Sequence, residues 1–158
     1  MSDGKFQFNP STNVFYLLLK GILQLGAIPE EAAAVKTDIM PIDLCAREVV
    51  ALRNGESSIY HIMNFDPPTL GEIISVIDGE IRIVDRVTFG KIFREKLSKI
   101  DRELITVIFS NLNEDTSRIP GAKVTWDITA SHLEKAGFSV PEIPIKTVLK
   151  SFGKGEQP

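Results

Sequence analysis

Asn13-Val14-Phe15-Tyr16-Leu17-Leu18-Leu19-Lys20-Gly21-Ile22-Leu23-Gln24-Leu25-Gly26-Ala27-Ile28-Pro29 is the stretch from which the rest of the chain is read. Phe15, Leu18, Leu19, Ile22, Leu23 and Leu25 recur at mostly helical spacing, which predicts a buried helix over 13–25. Ser11 or Thr12 is placed to cap it, Gly26 to end it, and Pro29 stands beyond. No strand precedes Gly21 or Gly26. They do not form the Gly-rich strand-to-helix turn that holds a dinucleotide pyrophosphate, and no such loop occurs elsewhere.

Working outward, residues 2–13 are polar and turn-rich, and 30–34 add a short helical turn. Residues 38–43 read as a short strand leading into a cap at Asp43, followed by a helix through Leu44, Val49, Val50 and Leu52. Residues 58–64 are nearly continuously apolar, which predicts a strand buried on both faces. Thr69 caps a helix with Leu70, Ile73, Ile74 and Ile77 on its apolar face. Residues 81–85 form a short strand, followed by a helix holding Phe89 to Ile100 and a second starting near Asp101. Residues 113–121 form a polar loop and 124–127 an extended segment. A helix over 129–136 stops at Gly137, a last helix spans 141–152, and 153–158 are a flexible tail.

The 158 residues suit one domain, or a fragment of one, over 1–158. With 43% hydrophobic and 25% charged residues the chain is globular in composition, and a net charge of −3 argues against nucleic-acid binding. The single cysteine, Cys45, excludes an internal disulfide and fits a cytoplasmic setting. His61 and His132 belong to no metal-binding spacing. The longest apolar run, Val14 to Leu19, is far too short for a membrane span, and residues 1–4 are no secretory signal. That short start reads as an arbitrary cut.

Tyr16 and Lys20 have the spacing of a Tyr acid tuned by a Lys, but the favoured reading is a packed Tyr and a solvated Lys. Asp43 reads as a helix cap rather than a catalytic acid. His61 reads as a packed or hydrogen-bonded residue, and Trp126 as a packing anchor. Asn64 and Phe65 fall at a strand end before a loop, where sites of open α/β sheets gather. Between 82 and 102, seven basic residues stand against three acidic ones. This is either a solvated face or a docking face for an anionic partner.

The stretch 13–29 resembles the helix and Leu-Gly-x-x-Pro turn of thioester reductase domains, which terminate some nonribosomal peptide synthetases and carboxylic acid reductases. Met40-Pro41-Ile42-Asp43-Leu44-Cys45-Ala46 is similar to that family's Val-Pro-Val-Asp-Tyr-x-Ala segment. Residues 59–70 resemble its Phe-His-Leu-x-Asn-Pro-x-Pro-x-Ser-Leu segment, and Leu133 to Pro141 its Leu-x-x-x-Gly-Phe-x-Trp-Pro end, with Val140 in place of Trp. Order and spacing agree over nearly the whole chain.

The resemblance implies an extended short-chain dehydrogenase/reductase. The fold class expected is α/β: a mostly helical C-terminal substrate-binding subdomain with a few short strands. The Gly-rich loop and catalytic Thr, Tyr and Lys of the family precede the matched region. No catalytic, cofactor or metal residue is therefore assigned here, Tyr16 and Lys20 included, and NADPH belongs to the parent enzyme. That enzyme would reduce a thioester on a carrier protein's phosphopantetheine arm to an aldehyde or alcohol, and the isolated chain is expected to be inactive. Candidate substrate-binding residues are Asn13, Met63, Asn64 and Phe65, and candidate carrier-docking residues are Arg94 and Lys99. Expected partners are the N-terminal Rossmann half and the acyl or peptidyl carrier protein. When that half is absent, the chain is expected to self-associate through residues 59–63 or to cover that seam with its own termini. The alternatives are a stand-alone protein- or ligand-binding module, or the same half of another extended reductase such as a nucleotide-sugar epimerase.

Overall fold

Asn13 opens the first helix: its side chain accepts the Tyr16 amide at 3.0 Å and caps α1 (Val14–Leu25). The cap is thus Asn13, not the Thr12 expected beside it, and Ser11 lies outside the described residues. The computed structural model describes residues 12–57, 59–77, 79–112, 125–143 and 145–149. Gly26 ends α1 in the left-handed conformation, φ 69°, its amide returning to the Ile22 carbonyl at 2.7 Å. Lys96 Nζ donates to the Leu25 carbonyl at 2.8 Å, placing a cation on the negative end of the helix.

The chain then enters β1 (Ala27–Pro29), which pairs in parallel with β2 (Arg82–Val84) in the register Ala27 to Arg82, Ile28 to Ile83 and Pro29 to Val84. The 81–85 strand was legible in the sequence, whereas β1 was hidden in what reads as a turn. Between the two strands run α2 (Glu30–Ala33), α3 (Ile42–Leu52) and α4 (Leu70–Ser75). After β2 come α5 (Arg86–Lys96), a 3-10 turn (Leu97–Lys99) and α6 (Arg102–Leu112). Two further helices follow, α7 (Asp127–Lys135) and α8 (Ile145–Val148).

One hydrophobic cluster joins these elements. Leu19, Ile22 and Leu25 of α1 are sealed by Ile73 and Ile74 of α4, Phe89 and Ile92 of α5, and Leu104, Ile108 and Leu112 of α6. The pair α3–α7 stands outside it. Leu44 and Leu52 of α3 and Leu133 of α7 are buried but do not belong to that cluster.

Several sequence expectations are corrected. Residues 38–41 form no strand. Asp43 is the second residue of α3 rather than its cap, a place taken by Pro41. Residues 59–64 also form no ladder. The His61 amide donates to Thr129 Oγ1 at 3.0 Å and the Asn64 amide to Asp38 Oδ1 at 2.9 Å, so side chains meet donors that a neighbouring strand would otherwise accept. Residues 125–126 likewise form no strand, and among the described residues of the helix expected over 141–152 only 145–148 are helical. The expected loop at 113–121 and tail at 153–158 lie outside the described residues.

Candidate functional site

The loop 64–69, α4 and the segment 140–146 enclose an open groove of about 820 Å³. Two features of the sequence build it. The first is the capping box at the head of α4: Thr69 Oγ1 accepts the Glu72 amide at 3.2 Å, and Glu72 Oε2 accepts the Thr69 amide at 2.7 Å. These bonds hold the Glu72 carboxyl below the usual carboxylate range, the Thr69 amide contributing most and the Thr69 hydroxyl next. The second is Pro67-Pro68, which stiffens the turn into that helix. Lys36 pairs across to Thr69 in an isolated antiparallel bridge, with the Thr37 amide donating to the Pro68 carbonyl at 2.8 Å.

The groove's apolar wall includes Phe65, Pro68, Val76, Pro141, Ile143 and Ile145. Its charged rim comprises Lys36, Asp66, Glu72, Glu142 and Lys146, with Lys36 and Asp66 in an exposed contact of 3.7 Å. An apolar wall with a few polar groups can hold an elongated ligand with a hydrophobic chain and a polar arm.

Of the four candidate substrate-binding residues, two line this groove. Phe65 is partly exposed and meets Trp126 edge to face. Asn64 is buried, and its side chain is largely engaged: Oδ1 accepts the Asp66 amide at 3.1 Å and Nδ2 donates to the Ile39 carbonyl at 3.4 Å. It shapes the loop that presents Phe65. Met63 adjoins Asn64 but is not among the lining residues, and Asn13 stands apart as the cap of α1. Sequence reasoning did not single out Val76, Ile143 or Ile145, and it met Pro141 only as the last residue of the Leu133 to Pro141 motif, which does not reveal that distant segments converge.

Arg94 and Lys99 are exposed and form no ion pair among the described residues. The basic stretch around them is partly neutralised. Arg86 is bound to Glu31 at 2.9 Å, and Lys96 is held at the end of α1. Tyr16 and Lys20 line a separate, smaller groove with Asp101, Arg102 and Glu103, away from Phe65. His61 is exposed, with Nδ1 3.3 Å from the Thr125 carbonyl oxygen. Among the described residues no group of three His, Cys, Asp or Glu is arranged to hold a metal, and no helix is long and apolar enough to cross a membrane.

The two strand-to-helix turns are the natural places to test for a dinucleotide, because phosphate sits at a helix N-terminus after a parallel strand. They do not fit one. β1 enters α2 through Pro29, Glu30 and Glu31, which puts two carboxylates in the first turn of a one-turn helix. β2 enters α5 through Asp85, whose Oδ1 already accepts the amides of Val87 and Thr88 at 2.9 and 3.0 Å. The Thr88 hydroxyl and amide, then the Val87 amide, hold that carboxyl below its usual range, so the turn carries a carboxylate where a phosphate would have to sit.

No family model and no curated protein sequence matches the chain. Solved structures do. A thiolation-reductase di-domain from an archaeal non-ribosomal peptide synthetase superposes with a TM-score of 0.80 and 26% identity, covering 97% of this chain and 33% of that one. The reductase domain of the aureusimine biosynthetic cluster superposes with a TM-score of 0.72 and 22% identity, covering 92% of this chain and 38% of that one. The chain thus spans 33–38% of the length of these two solved proteins. Its helices and its short parallel sheet match the fold of a helical C-terminal portion of such reductase domains, and the sequence similarity is to the nonribosomal peptide synthetase thiolation-reductase di-domain.

Proposed function

We propose that this chain is the substrate-binding portion of an NADPH-dependent thioester reductase that releases a carrier-bound acyl or peptidyl thioester as aldehyde or alcohol. The observation that carries it is the match over 97% of the chain, at 26% identity, to a protein that joins a thiolation domain to a reductase. The groove beside Phe65 supplies the apolar wall for the acyl or peptidyl chain, and its charged rim faces the polar arm. The described residues do not fit NADPH, so the cofactor belongs to the N-terminal Rossmann half and no reductive step is assigned to residues of this chain. That half is also the partner for the apolar side chains left in water on α3, namely Ile42, Val49 and Val50, and for Ile59 beyond them, which are 56–66% exposed.

The carrier docks, in this proposal, on the face that bears Arg94 and Lys99. Calorimetric titration of the chain with an acylated carrier protein tests it. Reversing both residues to Glu should weaken binding roughly three- to tenfold at low salt, the scale of two exposed charge contacts. The gap should close as salt rises, because exposed charges are screened within about 8–10 Å at ordinary ionic strength. Equal affinity of wild type and double mutant at low salt would remove the docking face.

A further inference from the structure

Glu48 lies in the middle of the inward stripe of α3, one turn from Leu44 on one side and from Leu52 on the other. All three are buried, and Glu48 is 0% exposed. Among the described residues neither carboxylate oxygen has a hydrogen-bond partner. An ionised carboxylate in that position would lack both water and a counter-charge, a state far costlier than a neutral acid in the same place. The helix packed against this face is α7, which presents buried Thr129 and Leu133.

The titratable and charged groups nearby do not relieve Glu48. On α7, His132 is engaged with the Ile128 carbonyl at 2.9 Å and with the Tyr60 ring, while Asp127, Glu134 and Lys135 are exposed. On α3 itself, the Cys45 thiol is pushed up chiefly by burial, and Asp43, Arg47 and Arg53 lie away from the buried stripe. From the adjoining segments, Asp38 is tied to the Asn64 amide and His61 is exposed.

We propose that Glu48 makes the seating of α3 on α7 depend on pH: the carboxyl is neutral while the helices are packed, and its ionisation releases them. Burial pushes the Glu48 carboxyl above the ordinary glutamate value of 4.5, in agreement with that geometry. The packed form therefore binds a proton that the released form gives up. Packing is strongest at low pH and weakens as pH rises from about 4.5 through the raised value. Because the α3–α7 pair lies outside the main cluster, the release is local to it. It also reaches the groove, since Trp126 at the head of α7 supports Phe65.

Amide hydrogen exchange of the full chain across pH, corrected for intrinsic rates, tests this. Protection in α3 and α7 should fall by up to about tenfold per pH unit in that window, the limit for one linked proton. Protection in α1 and α6 should hold. Glu48→Gln should remove the dependence, and Glu48→Leu should remove it even if the amide variant packs poorly. A wild type whose α3 and α7 protection does not change with pH would overturn the proposal. So would a Glu48→Gln or Glu48→Leu chain with the wild-type slope, or an equal loss of protection in α1 and α6.

Discussion

Gly21 is where helix propensity and packing oppose each other. In the interior of α1 an alanine would be favoured by roughly 1 kcal/mol if the surface were open. Here a Cβ would stand 2.8 Å from Cγ1 of Ile108 on α6, a side chain that is itself fully enclosed. Gly21→Ala should therefore destabilise the chain by about 1–3 kcal/mol, the usual scale of overpacking, in urea denaturation. A stabilised variant would mean that α1 and α6 do not approach this closely. The sequence made Gly21 visible as a helical glycine, but the residue that needs its absence of a side chain lies 87 positions away. Glu48 was legible in principle, since an acid between two leucines at four-residue spacing is an anomaly on an apolar stripe. Asn13 was misjudged because Ser11, Thr12 and Asn13 are all good caps, and only the register of the buried face selects among them.

Among the elements, helices α1, α4 and α5 follow from apolar spacing, which is why the sequence located them. Thr69 was legible as the cap of α4 because its bond lies within three residues, whereas Asp85, which caps α5 in the same way, reads from sequence as the end of the strand before it. Strands fared worse. β1 is three residues long and ends in a proline, and nothing local distinguishes it from a turn. Residues 59–63 have the apolar pattern of a buried strand, but a pattern does not provide the neighbour that a ladder requires. The caps carry a pH signature opposite to that of Glu48. The Glu72 and Asp85 carboxyls lie below their ordinary values of 4.5 and 3.8, so their contribution is present above those values and is lost as pH falls through the lowered ones. Amide protection at the starts of α4 and α5 should drop on acidification between roughly pH 5 and 2, and Asp85→Ala should abolish the drop in α5 alone. Unchanged protection in wild type over that range would show that the caps do not hold these helices. Thr69→Ala should cost about 1 kcal/mol, the usual penalty for a lost N-cap.

At the scale of the molecule, two packed units share the chain: the cluster around α1 and the α3–α7 pair. The groove of Phe65 lies between α4, the loop before it and the segment that follows α7. The family likeness carried the fold class from sequence, because four short motifs in order constrain the path of the chain more than any one of them. The groove was only half legible. Asn64 and Phe65 stood out at a segment end, but the facing wall comes from residues about 75 positions further on, and the motif that ends at Pro141 does not show that it meets them. The decisive experiment is a chemical-shift map of this chain titrated with an acyl-phosphopantetheine thioester. The reductase assignment requires saturable shifts at Phe65, Val76 and Ile143, with the deacylated arm binding more weakly. Saturable shifts confined to other surfaces, or no shifts at all, would contradict it.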